Sequence, residues 1–188
     1  MSDTRSNNSM QKEVMFAGFG GQGILLSAKL LAYAAMKQGA QVMWIPSYGP
    51  EMRGGTAYCT VVVSDRLIGS PIIKNPTHLV AMNRPSLEKF AEVVKPGGVV
   101  LINSSLIPVR SGRNDIQELI VPANDAAIQL GSVKCANIIA VSAFAAKSGM
   151  VDIEILRKCV QEEFSSKPKL IPINMKAFDE GVRIAAES

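Results

Sequence analysis

The chain has 188 residues, 47% hydrophobic, 19% charged and 5% aromatic: enough for one sizeable core, too few for two comfortable domains, and unlike a disordered chain. Its formal net charge of +4 carries no dense Lys/Arg block and no basic–aromatic interleaving, which argues against nucleic acid as a partner. Three widely spaced cysteines and one histidine argue against a disulfide framework, an iron–sulfur cluster held by this chain alone, and a self-contained zinc site.

Residues 1–12 read as a flexible polar arm and residues 13–188 as a single domain. VMFAGFG, from Val14, is a short buried strand ending in a glycine turn. From Gln22 to Gln38 the pattern is helical: Ile24, Leu25, Leu31 and Ala35 share a face, Lys29 and Lys37 stay solvated, and Gly39 caps the end. QVMWI then gives a second strand, expected to lie parallel to the first in a right-handed strand–helix–strand unit. PSYGPEMRGG, residues 46–55, is too rich in Pro and Gly for regular structure. TAYCTVVVSD is a strong strand, and SDRL turns it into LIGSPII as an antiparallel pair, so the sheet is expected to be mixed.

THLVAMN reads as another buried strand, and Pro85-Ser86 starts a helix that stops at Lys95-Pro96-Gly97-Gly98. GVVLIN and IQELIV are strands, NDAAIQLG a short helix after Pro122, and CANIIAVSAFAAKSG a longer helix whose small residues allow tight packing. Asp152 caps the next helix, and a last one starts near Pro172. The resulting fold class is α/β: a three-layer Rossmann-like domain with a mixed, mostly parallel sheet and a helical C-terminal third. The polar N-terminus and the lack of any stretch of membrane-spanning length give the expectation of a soluble, cytoplasmic protein without membrane contact.

Gly18, Gly20 and Gly23 satisfy G-x-G-x-x-G between a strand and a helix. Without Cβ atoms the backbone N–H groups can approach an anion, and the helix start adds about half a positive charge. A dinucleotide site also needs an acid at the end of the second strand, where this chain has Ile45, Pro46 and Ser47. Gly21-Gln22 is atypical as well, placing an amide at the helix mouth, and no G-K-[S/T] follows to make a P-loop. Either the turn serves a phosphate or a partner's carboxylate, or its glycines only let strand and helix pack. His78 reads as a strand-end structural histidine, and Cys59, Cys135 and Cys159 as buried structural thiols. Asn137 opens an apolar helix either to satisfy backbone or to meet a ligand, with Lys134 beside it as a candidate anion support.

GFGGQGILLSAKLLAYAAMKQG followed by PSYGPEMRGGTAYCTVVVSD resembles the gamma subunit of the 2-oxoacid:ferredoxin oxidoreductases. The likeness runs from about residue 13 to 180 and is most specific in Gly20-Gly21-Gln22-Gly23 and in Pro46–Gly54. It implies a component of a multi-subunit enzyme that uses thiamine diphosphate, magnesium, 4Fe–4S clusters and coenzyme A, with ferredoxin as electron acceptor. Its partners are then alpha and beta subunits and, in some complexes, a ferredoxin-like delta subunit. None of those cofactors is expected on this chain alone, which shows neither a thiamine nor a cluster motif, and no catalytic residue is assigned to it. WIPSYGPEMRGG looks more like the 2-oxoglutarate branch, or the similar branched-chain one, than the pyruvate branch.

The candidate anion, CoA-phosphate or interface residues are Gly18, Gly20, Gly21, Gln22, Gly23 and Asn137. The candidate interface loop is Pro46, Ser47, Tyr48, Gly49, Pro50, Glu51, Arg53 and Gly54, with Tyr48 offering a stacking face and Arg53 a partner for phosphate or carboxylate. The competing readings are a purely structural interaction subunit and a free-standing nucleotide-binding protein. The isolated chain is also a candidate homodimer, since a surface built for partners tends to be apolar when unpaired.

Overall fold

The computed structural model describes residues 11–47, 56–70 and 72–188. In chain order the elements are β1 (Gln11–Phe19), α1 (Ile24–Lys37), β2 (Gln41–Ser47), β3 (Thr56–Ser64), β4 (His78–Ala81), α2 (Arg84–Phe90), β5 (Val99–Asn103), β6 (Gln117–Val121), α3 (Ala123–Gln129), α4 (Ala136–Ser148), α5 (Ile153–Glu163) and α6 (Ile171–Ala186). Several boundaries follow from local chemistry. Asn83 caps α2 by accepting from the Ser86 N–H at 2.9 Å, and Asp152 caps α5 by accepting from Glu154 and Ile155. Gly39, at φ +82°, turns the chain after α1.

The six strands are ordered β2-β3-β1-β4-β5-β6. β1/β4, β4/β5 and β5/β6 pair in parallel, while β3 pairs antiparallel with both β1 and β2. The expected α/β class with a mixed, mostly parallel sheet and a helical C-terminal third is therefore present. Two details differ from the sequence reading. β1 and β2 do run in the same direction, but β3 lies between them, so α1 links strands that are not neighbours. The antiparallel character comes from β3, not from LIGSPII: residues 67–70 and 72–73 form no strand, and Leu67 and Ile72 are exposed.

Strand alternation sorts the sheet into two faces. Val14, Phe16, Val80, Leu101 and Leu119 point into the larger core, which α1, α3, α4, α5 and α6 cover. Met15, Ala17, Leu79, Val100 and Ile102 point the other way, against Leu87 and Phe90 of α2. Lys29 and Lys37 do not simply stay solvated: they cross from α1 to α5 and pair with Glu163 and Glu162. Among the described residues, no helix is long and apolar enough to cross a membrane.

Candidate functional site

Connections from β1 and β4 leave for opposite faces of the sheet, α1 into the larger core and α2 against the smaller. A crevice opens at the carboxyl ends of adjacent strands where this happens, and such crevices are where open α/β sheets bind ligands. The glycine turn sits there. Gly21 and Gly23 have φ of +91° and +74°, the left-handed region that a side chain resists. Gly18 is needed for space instead: a Cβ there would lie 2.6 Å from Gln22 Oε1 and 2.7 Å from Ile24 Cδ1.

The Gln22 amide does not hang at the helix mouth. Its Oε1 accepts from the Phe19 N–H at 2.6 Å, and its Nε2 donates to the Met82 carbonyl at 3.1 Å, tying the end of β1 to the residue after β4. The start of α1 is left with no side-chain cap and no acid in its first turn. Its first N–H groups and dipole thus remain available to an anion.

α4 brings the second half of the site. Ser27 Oγ donates to the Asn137 carbonyl at 3.2 Å, pinning α4 to α1. A Cβ on Gly23 would lie 2.6 Å from Asn137 Nδ2, so the Asn137 side chain rests on the turn. The residue is 6% exposed, and its side-chain amide makes no hydrogen bond with the described residues. Asn137 therefore does not satisfy backbone at the helix start; it lines a cleft, with its side-chain amide unpartnered among the described residues.

Gly21, Gln22, Gly23 and Asn137 line this cleft of about 460 Å³, together with Lys134 on the 3₁₀ turn before α4. Phe164, Leu170 and Ile173 supply an apolar wall, and Asn124 and Asn174 add polar edges. Sequence reasoning missed that wall and both of those asparagines; the one local signal was Asn174 inside the first turn of a Pro-initiated helix. Gly18 to Gly23 and Asn137 are brought together, although Gly20 is exposed and Gly18 is buried behind the turn.

The interface loop divides. Pro46 and Ser47 are not loop residues: they extend β2, opposite Cys59 and Tyr58, on an edge strand, where proline is tolerated. Tyr48, Gly49, Pro50, Glu51, Arg53 and Gly54 lie outside the described residues. Their flanks are placed, however. Ser47 and Ala17 both pair with Tyr58, and Thr56 pairs with Phe19, so both flanks meet the sheet at the end that carries the turn.

The thiols are free and buried. Burial pushes Cys59 up to about 12 and raises Cys135 and Cys159 as well. Cys135, on the cleft wall, donates its Sγ hydrogen to the Ser132 carbonyl, which suits a protonated structural thiol rather than a nucleophile. Among the described residues no three His, Cys, Asp or Glu side chains gather as a metal site.

His78 lies at the opposite end of the sheet, buried at the start of β4, with Nδ1 2.7 Å from Thr77 Oγ1 and its ring edge-on to Phe144. Desolvation, and secondarily the Lys12 charge, lower its pKa from 6.5 to about 4. An unfolded chain takes up this proton as pH falls below 6.5, whereas the folded one resists until about 4, so stability drops across that window and levels below it. Denaturant titrations at pH 7 and pH 5 should show wild type losing about 2 kcal/mol more than His78→Gln. Equal losses would mean that His78 is hydrated in the folded state.

Residues 13–184 match the family described as pyruvate ferredoxin/flavodoxin oxidoreductase. The ketoisovalerate oxidoreductase subunit VorA of Methanothermobacter thermautotrophicus is 38% identical over 93% of this chain, and this chain spans only about a third (36%) of its length. The 2-oxoglutarate synthase subunit KorC of Methanocaldococcus jannaschii is 33% identical, with 95% of this chain and 96% of KorC covered. Among solved structures, the keto/oxoacid ferredoxin oxidoreductase gamma subunit from Geobacter sulfurreducens superposes with a TM-score of 0.80 at 32% identity, covering 94% of this chain and 99% of that one. The 2-oxoglutarate:ferredoxin oxidoreductase from Magnetococcus marinus shares the fold, with a TM-score of 0.85 at 21% identity over 95% of this chain and 31% of its own. With a matching sequence along nearly its whole length and the same fold as a gamma subunit of equal span, the chain belongs to the pyruvate ferredoxin/flavodoxin oxidoreductase family, as a member of gamma-subunit type.

Proposed function

We propose that this chain is the gamma subunit of a multi-subunit 2-oxoacid:ferredoxin oxidoreductase and forms part of its coenzyme A side. The observation that carries this reading is the cleft, whose lining combines the uncapped start of α1, the unpartnered Asn137 amide and Lys134 with the apolar Phe164, Leu170 and Ile173. The polar end suits a phosphate of coenzyme A, and Phe164, Leu170 and Ile173 suit the face of its adenine ring. A structure of the Magnetococcus marinus relative is described as containing 2-oxoglutarate, coenzyme A and succinyl-CoA, which supports the choice of ligand.

In the assembled enzyme, thiamine diphosphate and iron–sulfur clusters would supply decarboxylation of the 2-oxoacid and electron transfer to ferredoxin, with coenzyme A as the acyl acceptor. Those groups belong to partner subunits of alpha, beta and delta type. This chain binds and orients the carrier, and residues 46–54 face the catalytic subunits. 2-Oxoglutarate is the substrate of first choice, giving succinyl-CoA. The 38% identity to VorA supports a branched-chain 2-oxoacid as the second reading.

The test is anaerobic co-purification with the tagged chain, followed by assay of CoA-dependent viologen reduction with 2-oxoglutarate and with ketoisovalerate. Turnover with one of them names the substrate; elution of the chain alone with a bound nucleotide would overturn the subunit reading. In the assembled enzyme, Lys134→Ala should raise the KM for coenzyme A about tenfold through loss of one charge-assisted bond, leaving the KM for the 2-oxoacid unchanged. An unchanged CoA KM would place the phosphate elsewhere.

A further inference from the structure

A continuous run of hydrogen bonds follows the carboxyl edge of the sheet beneath the cleft. It starts at the Phe19 N–H, passes through the Gln22 amide to the Met82 carbonyl, and reaches the Asn103 amide at the end of β5. Asn103 is fully buried. Its Nδ2 lies 3.4 Å from the Met82 carbonyl and 2.8 Å from Asn124 Oδ1, and its Oδ1 accepts from the Ala123 N–H at 3.2 Å. Four elements, β1, β4, β5 and α3, are joined in this way at the level where their chains turn over the ligand cleft.

Three members of the run, Gln22, Met82 and Asn124, line the cleft itself. Gln22 belongs to the glycine turn, and Asn124 is on the cleft's edge. Asn103, by contrast, is not among the lining residues. Met82 O is the shared acceptor, so a shift of Gln22 reaches Asn103 through one carbonyl. The Phe19 N–H is spent on Gln22, while the start of α1 has no side-chain cap.

We infer that Gln22 and Asn103 are coupled positioning residues, which hold the glycine turn and the Asn124 edge at a fixed separation and so set the affinity for coenzyme A. This inference rests on the coenzyme A reading above, and it is built so that the two can fail separately. Neither residue performs chemistry. Gln22 acts through the turn, and Asn103 acts through Asn124 and the start of α3.

The experiment uses Gln22→Met and Asn103→Leu, which keep a side chain of similar length and remove the hydrogen bonds, and the double variant. In the purified chain, amide hydrogen exchange at Phe19 should accelerate at least about tenfold in Gln22→Met, since the bond to Oε1 is gone. In the assembled enzyme each single variant should raise the KM for coenzyme A about tenfold with kcat and the KM for the 2-oxoacid unchanged, and the double variant should raise it little further, as expected for one coupled unit. Effects that multiply to about a hundredfold in the double variant would overturn the coupling. A parallel rise in both KM values, tracking a fall in the melting midpoint, would reduce both residues to general stability. If Phe19 exchange responds but no variant alters the CoA KM, the network is real and the ligand reading is what has failed. Unchanged Phe19 exchange in Gln22→Met would overturn the network itself.

Discussion

Gly23→Ala should raise the KM for coenzyme A by about a hundredfold in the assembled enzyme, from two costs that add at one position. The residue holds φ at +74°, and an L-side chain in the left-handed region costs about 1–2 kcal/mol. Its new Cβ would also lie 2.6 Å from Asn137 Nδ2 and 2.9 Å from Asn137 Cβ, too close for either atom to remain. Because Asn137 is buried and α4 is pinned to α1 through Ser27, the amide cannot simply swing away. The turn must give, and with it the N–H groups offered to the phosphate. A total of about 3 kcal/mol corresponds to roughly that hundredfold.

A control sits two residues earlier. Gly21 has φ of +91° but open space around its missing Cβ, so Gly21→Ala carries the backbone cost without the collision and should raise the same KM about tenfold. Pairing Gly23→Ala with Asn137→Gly should recover part of the loss by emptying the space. Binding of coenzyme A by Gly23→Ala as by wild type would show that the phosphate does not use this turn.

How much of this was legible in the sequence depends on how local the physics is. The helix start at Asp152 was readable because a cap is written within three residues, whereas Asn83, read as the end of a strand, proves to cap the helix that was read from Pro85-Ser86. So was the glycine turn, as a motif between a strand and a helix. TAYCTVVVSD was legible as a strand, but its place was not, because insertion between β1 and β2 depends on pairings with residues such as Phe16 and Pro46 that no local pattern encodes. Pro46 was read as a loop residue from its chemistry, whereas an edge strand tolerates it.

The site behaves the same way. Gln22 and Asn137 were visible as unusual residues, yet the function of each is set by a distant partner: Met82 for one, Gly23 for the other. The apolar wall was invisible because Phe164, Leu170 and Ile173 look like ordinary helix-end residues until α5 and α6 are folded against the cleft. Tyr48, Glu51 and Arg53, the candidate interface residues, lie outside the described residues, and their roles stand as proposals.

Gly181→Ala should destabilise the chain by about 3 kcal/mol, at the upper end of the cost of overpacking, and lower its melting midpoint by about 10 °C. The sign is opposite to ordinary expectation. Gly181 lies inside α6, where alanine is normally better by about 1 kcal/mol. Here α6 crosses α4 so closely that an added Cβ would collide with the Ile139 carbonyl and with Ser142 Oγ, and would come within 3.1 Å of the Ala143 nitrogen. Ser142 is held by bonds to the Ile138 and Ile139 carbonyls, and a backbone carbonyl has no rotamer to escape into. Ser142→Ala should therefore rescue only a small part of the loss. The cost extends to function, because α4 carries Asn137 and α6 carries Asn174 on the same cleft. Helices forced apart at Gly181 separate those two amides, so the CoA KM should rise as the midpoint falls, whereas in Gly23→Ala the KM should rise far out of proportion to any change in melting. Gly181→Ala proving as stable as wild type would mean that the two helices cross with room to spare, and that the small residues of α4 serve some purpose other than close approach.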